Sequence, residues 1–185
     1  MRAVIQRVTS ASVDVDGQTI SRIGPGLLCL IGIHREATPE DAAWLARKLC
    51  AARIFPSADG GRAWDRSVAD LGDHGEVLLV SQVRSLCPSV NHFASLYPCP
   101  TLFLHTSLLT QFTLYGRVNK GNRPDFSHAM GPGEAEKCYA DFVGRVRAIL
   151  GEDRVKDGKF GAMMEISLVN DGPVTLTIEP PSAAI

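Results

Sequence analysis

The 185-residue sequence predicts an α+β domain in which two main helices cover a mostly antiparallel sheet. Three observations lead there. Short runs alternate apolar and polar residues at period two, and the first two are joined by Asp16-Gly17, a strong hairpin turn. Two longer segments carry apolar residues at helical spacing behind recognisable start signals. Strands and helices do not alternate in a βαβ rhythm, which argues against a parallel sheet.

The elements follow in order. Residues 2–8 alternate, and "SASVDV" continues the rhythm with Ala11, Val13 and Val15 on one face. "QTISRI" is the return strand, and Gly24-Pro25-Gly26 is a second turn. "LLCLIGI", residues 27–33, is apolar on both faces and reads as a central strand. A helix starts at Thr38 as N-cap, with Pro39 at its first position and Glu40 and Asp41 in its first turn. Its apolar face is Ala42, Leu45, Leu49 and Ala52. "RIF" reads as a short strand and "SADGGRAWD" as a loop, and "EVLLVSQ" is the next buried strand. Later, "GEAEKCYADFVGRVRAIL" is a helix with Ala135, Tyr139, Phe142, Val143, Val146 and Ile149 inward. Glu134 and Glu136 complement its positive end, and Arg145 and Arg147 its negative end. "GAMMEISLV" and "VTLTIEP" are two final strands around the turn-forming residues Asn170 to Pro173.

Bulk properties bound the function. The hydrophobic content of 45% supports one core in a chain of single-domain length. A net charge of −1 supplies no global field for nucleic acid or membrane, so any RNA contact needs a local basic patch. Arg117, Lys120 and Arg123 form a small one. Five cysteines, an odd number without a CxxC pair, read as reduced thiols in a cytoplasmic protein. The start "MRAVIQRV" is no signal peptide, and no apolar run approaches a membrane span.

Standard catalytic signatures are mostly absent: GxSxG, the P-loop, HExxH and a complete GxGxxG do not occur. Cys87, His92, Cys99 and His105 lack the short paired steps of zinc sites, so neither metal nor cofactor is expected. Three stretches keep two readings each. "NDGPVT" is a hairpin turn or a rigid backbone wall, since an X-Pro bond lacks a donor and can be cis. "KFGAMM" is core packing or a slot for a flat base, with Phe160 and the Met164 thioether beside small residues. "FTLYG" sets Thr113 at a strand end, where a threonine either satisfies backbone or faces a substrate.

These stretches occur together with "MRAVIQRVTSASV", "IGPGLL" and "KGNRPDF", and in that order the set closely resembles the D-aminoacyl-tRNA deacylase family. The resemblance implies a barrel-like sheet, a homodimer and an aminoacyl-tRNA substrate. It implies hydrolysis of the ester that joins a D-amino acid, or glycine mischarged on another tRNA, to the terminal adenosine. Gly172 and Pro173 would form a cis element that enters the partner's pocket and rejects L side chains by collision, braced by Arg7. Thr113 and the backbone near Phe112 would face the scissile carbonyl. Phe160, Gly161, Ala162 and Met164 would line the adenosine pocket. The family's pattern places Ser-Gln directly before Phe-Thr-Leu-Tyr.

Here Ser81-Gln82 stands well upstream of Phe112, and Gln111 is its immediate neighbour. The intervening residues 83–111 contain a single charge, Arg84, and allow no secure element. Deleting them gives "EVLLVSQFTLYGRVNKGNRPDF", which restores the family pattern with the frame intact. Val83-Arg84 can be encoded GUG-AGG and Gln111 CAG, as a retained intron requires. The expectation is therefore one domain over residues 1–185, interrupted by a low-order insertion at 83–111. In that case Thr110 and Gln111 can stand in for Ser81 and Gln82. The alternative function is a catalytically impaired tRNA-binding or dimerising module, because the insertion splits the motif.

Overall fold

A computed structural model describes residues 1–81, 111–118 and 121–181. Six strands form one sheet: β1 (Arg2–Val15), β2 (Gln18–Ile23), β3 (Gly26–Gly32), β4 (Glu76–Ser81), β5 (Val155–Asp157) and β6 (Glu165–Ile178). Two helices, α1 (Pro39–Ala51) and α2 (Pro132–Leu150), pack on each other and on the sheet. The strand order is β2-β1-β3-β4-β5, with β6 also paired to β1. The Ser21 hydroxyl on β2 donates to the Asp157 carbonyl at the end of β5. The Gly24 N–H donates to the Glu76 carboxylate at the start of β4 (2.6 Å). The sheet's two edges therefore meet, and it curls into a nearly closed barrel, in agreement with the α+β expectation.

Local chemistry sets the ends of several elements. Asp16 (φ 51°) and Gly17 (φ 76°) make the left-handed pair that matches the twist of the β1–β2 hairpin. At α1, the Thr38 hydroxyl accepts from the Asp41 N–H (3.3 Å), and the Asp41 carboxylate accepts from the Thr38 N–H (2.9 Å). This reciprocal box satisfies two donors that the first turn leaves without helical partners.

The strands that are apolar on both faces serve two cores. Leu27, Cys29, Ile31, Val77 and Leu79 face α1 and α2, where Leu45, Leu49, Phe142 and Val146 are fully buried. Leu28, Leu78 and Val80 face the barrel interior with Val8, Val13 and Ile23. On α2, Leu150 takes the buried place expected of Ile149, which is exposed because it lies at the edge of the apolar stripe.

Four expectations are corrected. β3–β4 and β4–β5 are parallel, with α1 and α2 in the crossovers, so βαβ connections do exist within a sheet whose other pairings are antiparallel. Long irregular stretches between the elements hid that rhythm. Residues 53–55 are no strand; Phe55 only bridges Arg66. Gln111–Tyr115 is a short 3₁₀ helix and not a strand, because β4 already has β3 and β5 on its two edges. Asn170 to Pro173 is no hairpin turn: the residues on both sides of it pair with β1 in one antiparallel direction. The zinc candidates Cys87, His92, Cys99 and His105, and all of the expected low-order excursion except Gln111, lie outside the described residues.

Gly26 shows how closely the parallel pair is packed. A Cβ there would stand 1.9 Å from the Glu76 carbonyl oxygen on the neighbouring backbone. Gly26→Ala is expected to lower stability by about 1–3 kcal/mol, the usual cost of forcing atoms into a packed site. Urea unfolding checks this, and an unchanged midpoint would show that the β3–β4 start can move apart.

Candidate functional site

Arg7, on β1, lies at the level of Leu27 on β3 and Val174 on β6. The neighbouring pair is Val8 with Asn170, so Asp171, Gly172 and Pro173 are extra residues that bulge out of β6 between two paired segments. The Gly172-Pro173 bond is cis, and both residues are exposed. The Arg7 guanidinium holds this bulge. It donates to the Asp171 carbonyl (3.2 Å) and pairs with the Asp171 carboxylate (2.9 Å). On its other side it donates to the Ile54 carbonyl (2.6 Å) and lies 5.9 Å from the centre of the Phe55 ring. Phe55 is itself pinned by backbone hydrogen bonds with Arg66. Gly172 has φ 120°, and a Cβ there would stand 3.0 Å from Val174 Cγ2 and 3.3 Å from Arg7 Nη2. Only glycine suits that position.

A second group gathers at the C-terminal ends of β3 and β4. Ser81 pairs with Ile31, is buried, and its hydroxyl has no hydrogen-bond partner among the described residues. Thr113 is half-buried on the 3₁₀ helix, and its carbonyl accepts from the Gly116 N–H (3.0 Å). That helix seats on Gly32, where a Cβ would stand 3.0 Å from Leu114 Cβ. Arg2 Nη1 donates to the Leu114 carbonyl, and the Arg2 guanidinium lies 4.8 Å from the centre of the Tyr115 ring. Gln111 and Phe112 open the same helix, whereas Gln82 lies outside the described residues.

The turn that carries Phe160, Gly161, Ala162 and Met164 approaches this end of β4. The Gly158 N–H donates to the Leu79 carbonyl (2.9 Å), and the Ala162 N–H to the Lys159 carbonyl (3.2 Å). The Phe160 ring packs at 5.8 Å on Tyr139, whose hydroxyl donates to the same Leu79 carbonyl (3.1 Å). Met164 reaches back over Gly158, where a Cβ would meet its sulfur at 2.7 Å. Phe160 belongs to the helix-side core and Ala162 and Met164 to the barrel-side core, so the turn spans both.

Within one chain the bulge and the 3₁₀ helix stand at different levels of β1. Arg2 pairs with Gly32 and Arg7 with Leu27, in unbroken register. Five residues of strand separate the two levels by roughly 17 Å. An odd spacing also turns Arg2 and Arg7 to opposite faces of the sheet. The structure thus joins Arg7 with the Gly172-Pro173 bulge, seats the Thr113 helix against Gly32 and Arg2, and holds that helix and the bulge at separate levels of β1. Sequence reading passed over Ile54 and Phe55, whose connection to Arg7 runs through a backbone carbonyl and leaves no motif.

No cluster of His, Cys, Asp or Glu among the described residues could hold a metal ion. None of the described helices is long and apolar enough to cross a membrane.

The family model described as D-Tyr-tRNA(Tyr) deacylase matches residues 4–91 and 104–179. The break falls inside the 83–111 stretch. The chain is 44% identical over 179 residues to a D-aminoacyl-tRNA deacylase of Opitutus terrae, covering 97% of each chain. It is 42% identical over 177 residues to one of Yarrowia lipolytica, covering 95% of each. Among solved structures it resembles a c-Myc DNA unwinding element binding protein, with a TM-score of 0.75 and 37% identity over 98% of this chain and 99% of that one. A probable eukaryotic D-amino acid tRNA deacylase, at 18% identity and a TM-score of 0.72, shares the fold over 97% and 98% of the two chains.

Arg7→Ala is expected to release the bulge. Hydrogen bonds to a charged donor contribute about 1.5–3 kcal/mol each. Amides around residues 170–175 should therefore exchange at least ~10-fold faster, while those of β4 keep their protection. Native-state hydrogen exchange measures both, and equal protection in the variant would show that the bulge is held by its own strand.

Proposed function

The chain belongs to the D-Tyr-tRNA(Tyr) deacylase family, and from that premise we propose that it hydrolyses the ester of D-aminoacyl-tRNA, removing D-amino acids before they enter translation. The observation that carries the reading to particular residues is the roughly 17 Å separation described above. The Gly172-Pro173 bulge and the Thr113 helix are built as two halves of one site, and two copies of the chain can bring them together. β6 supports this: among the described residues it pairs only with β1, and Val169 and Leu176 are exposed on it. A free edge of this length is a natural face for a second copy.

In the homodimer, the bulge of one subunit enters the site of its partner. The carbonyls around Gly172 hold the substrate's amino group, and the wall leaves no room for a side chain of L configuration. Glycine presents nothing to reject, so glycyl-tRNA mischarged on another tRNA is a substrate as well. The terminal adenosine lies against Phe160, Gly161, Ala162 and Met164. Thr113 and a backbone N–H near Phe112 donate to the oxygen that becomes negative as water adds to the ester carbonyl. Collapse of that intermediate expels the ribose 3′-oxygen, which takes the proton relayed from the water by the neighbouring 2′-hydroxyl. The protein's part is positioning and charge stabilisation, which account for much of a typical rate enhancement.

Deacylation of D- and L-tyrosyl-tRNA tests the reading. D-selective release is expected, and Gly172→Ala should lower the D-over-L ratio of kcat/KM at least ~10-fold, because one pocket methyl group's worth of misfit is about 1–3 kcal/mol. Mixing relaxed Gly172→Ala with inactive Thr113→Ala subunits should rebuild up to about a quarter of the wild-type, D-selective sites after random exchange, since half of the dimers are mixed and each holds one intact site. Recovery of nothing from exchanged subunits would place both halves in one chain.

Residues 83–111 are read as an insertion between Ser81-Gln82 and Phe112. Joining Gln82 directly to Phe112 brings Ser81 and Thr113 into one continuous segment. Loop closure of this length costs only a few kcal/mol, so both versions should fold. The shortened chain is expected to deacylate D-tyrosyl-tRNA at least ~10-fold faster, since misplacing a catalytic group by about 1 Å can cost 100-fold. Equal rates would make the segment a neutral excursion.

A further inference from the structure

A cleft of about 350 Å³ opens where the end of β3, the start of α1, the 3₁₀ helix and residues 125–130 converge. Backbone bonds fix its walls. The Arg35 N–H donates to the His128 carbonyl (3.0 Å), the Met130 N–H to the Ile33 carbonyl (3.0 Å), and Arg117 and Asp125 exchange two bonds (2.9 and 2.8 Å). Its charge is unbalanced. The Met1 amine, Arg2, Arg35 and Arg117 line it, against Glu36 and Asp41. Asp41 is already used by the Thr38 N–H, and Glu36 lies 3.4 Å from Arg35. Arg2 is paired with Glu179. Arg117 makes no ion pair among the described residues, and the nearby Asp125 is engaged by the Ser127 N–H and hydroxyl (3.0 Å each).

His34 adds a donor. Its Nδ1 accepts from the Glu36 N–H (3.2 Å), so the neutral ring carries its proton on Nε2, which has no acceptor among the described residues. The His34 and His128 rings stack on each other at 5.7 Å, which leaves no slot between them for a base. Arg117 without an ion pair among the described residues, the His34 Nε2 donor, a surplus of cations and no open aromatic slot suit an anion with several oxygens.

We propose that this cleft is a phosphate subsite that seats a backbone phosphate of the RNA strand whose 3′ end is hydrolysed beside Thr113. The inference rests on the deacylase reading. Its geometry follows from the 3₁₀ helix: Tyr115, in the cleft wall, lies two residues beyond Thr113, about 4 Å along the helix axis. A strand that ends at Thr113 passes the cleft within a nucleotide or two. In the free protein, burial pushes His34 below the ordinary imidazole value. Glu36 opposes that shift, and His128, the Met1 amine and Arg35 add to it. A bound phosphate reverses the balance, so His34 gains a proton as RNA binds.

The full-length chain with Arg35→Ala and Arg117→Ala tests this. Both side chains are exposed, and an unchanged thermal midpoint verifies the fold. The double variant should bind uncharged tRNA about tenfold more weakly at low salt. The slope of log affinity against log salt should fall by about 0.7 per lost contact on a single strand. kcat/KM should fall at least ~10-fold more for D-tyrosyl-tRNA than for D-tyrosyl-adenosine, which has no phosphate, and Arg117→Lys should recover much of the loss. Proton NMR should show the His34 pKa rising when a short RNA is added. Competition by inorganic phosphate would identify the bare group as sufficient, and RNA dependence without it would require the strand; either upholds the subsite. Equal losses on both substrates, or an unaltered salt slope, would overturn it. If the wild-type chain cleaves neither substrate while the variant still loses RNA affinity, the deacylase reading falls and the subsite stands.

Discussion

Strand β1 sets the scale of the molecule. It is hydrogen-bonded to β2 and β3 along one edge and to β6 along the other, so its register determines what stands at each level of the sheet. Two arginines project from it. Arg2 holds the 3₁₀ helix through the Leu114 carbonyl, and Arg7 holds the β6 bulge through Asp171. Neither support can slide without a one-residue slip that would carry every side chain of β1 to the opposite face. Ala3, Ile5 and Val8, all buried, make such a slip costly. The distance between the 3₁₀ helix and the β6 bulge is thus fixed by packing far from either.

Local chemistry explains which parts of the fold are legible in the sequence. Thr38, Pro39 and Asp41 state where α1 begins, because a cap is satisfied within four residues. Asp16-Gly17 states where β1 turns for the same reason. Strand direction is different. The runs "LLCLIGI" and "EVLLV" announce burial on both faces, but whether they lie parallel depends on the path of the forty-odd residues between them. "NDGPVT" has the composition of a hairpin turn, and only the shared pairing of both flanks with β1 makes it a bulge.

The site is legible unevenly. Arg7, Gly172 and Pro173 stand out through a family pattern, and the hydrogen bonds from Arg7 to Asp171 give that pattern a physical content. Ser81 illustrates the limit: nothing in "LLVSQ" says that its hydroxyl is buried without a partner. His34 and His128 look like unrelated loop residues because 94 positions separate them. They stack only after the Met130–Ile33 and Arg35–His128 backbone bonds draw residues 128–130 against the end of β3. Such meetings carry no sequence signature, since each partner is chosen by tertiary structure.

The bulge at Asp171 to Pro173 has an architectural consequence. It leaves and rejoins the ladder with β6 antiparallel to β1 on both sides, and its support comes from a side chain on the neighbouring strand. A projection of this kind is a self-contained module. Its length can drift while the sheet stays in place, provided that an arginine remains beneath it and a glycine keeps the positive-φ position. The same device could be transplanted onto an unrelated antiparallel pair, giving that protein a stiff finger to present to a neighbour.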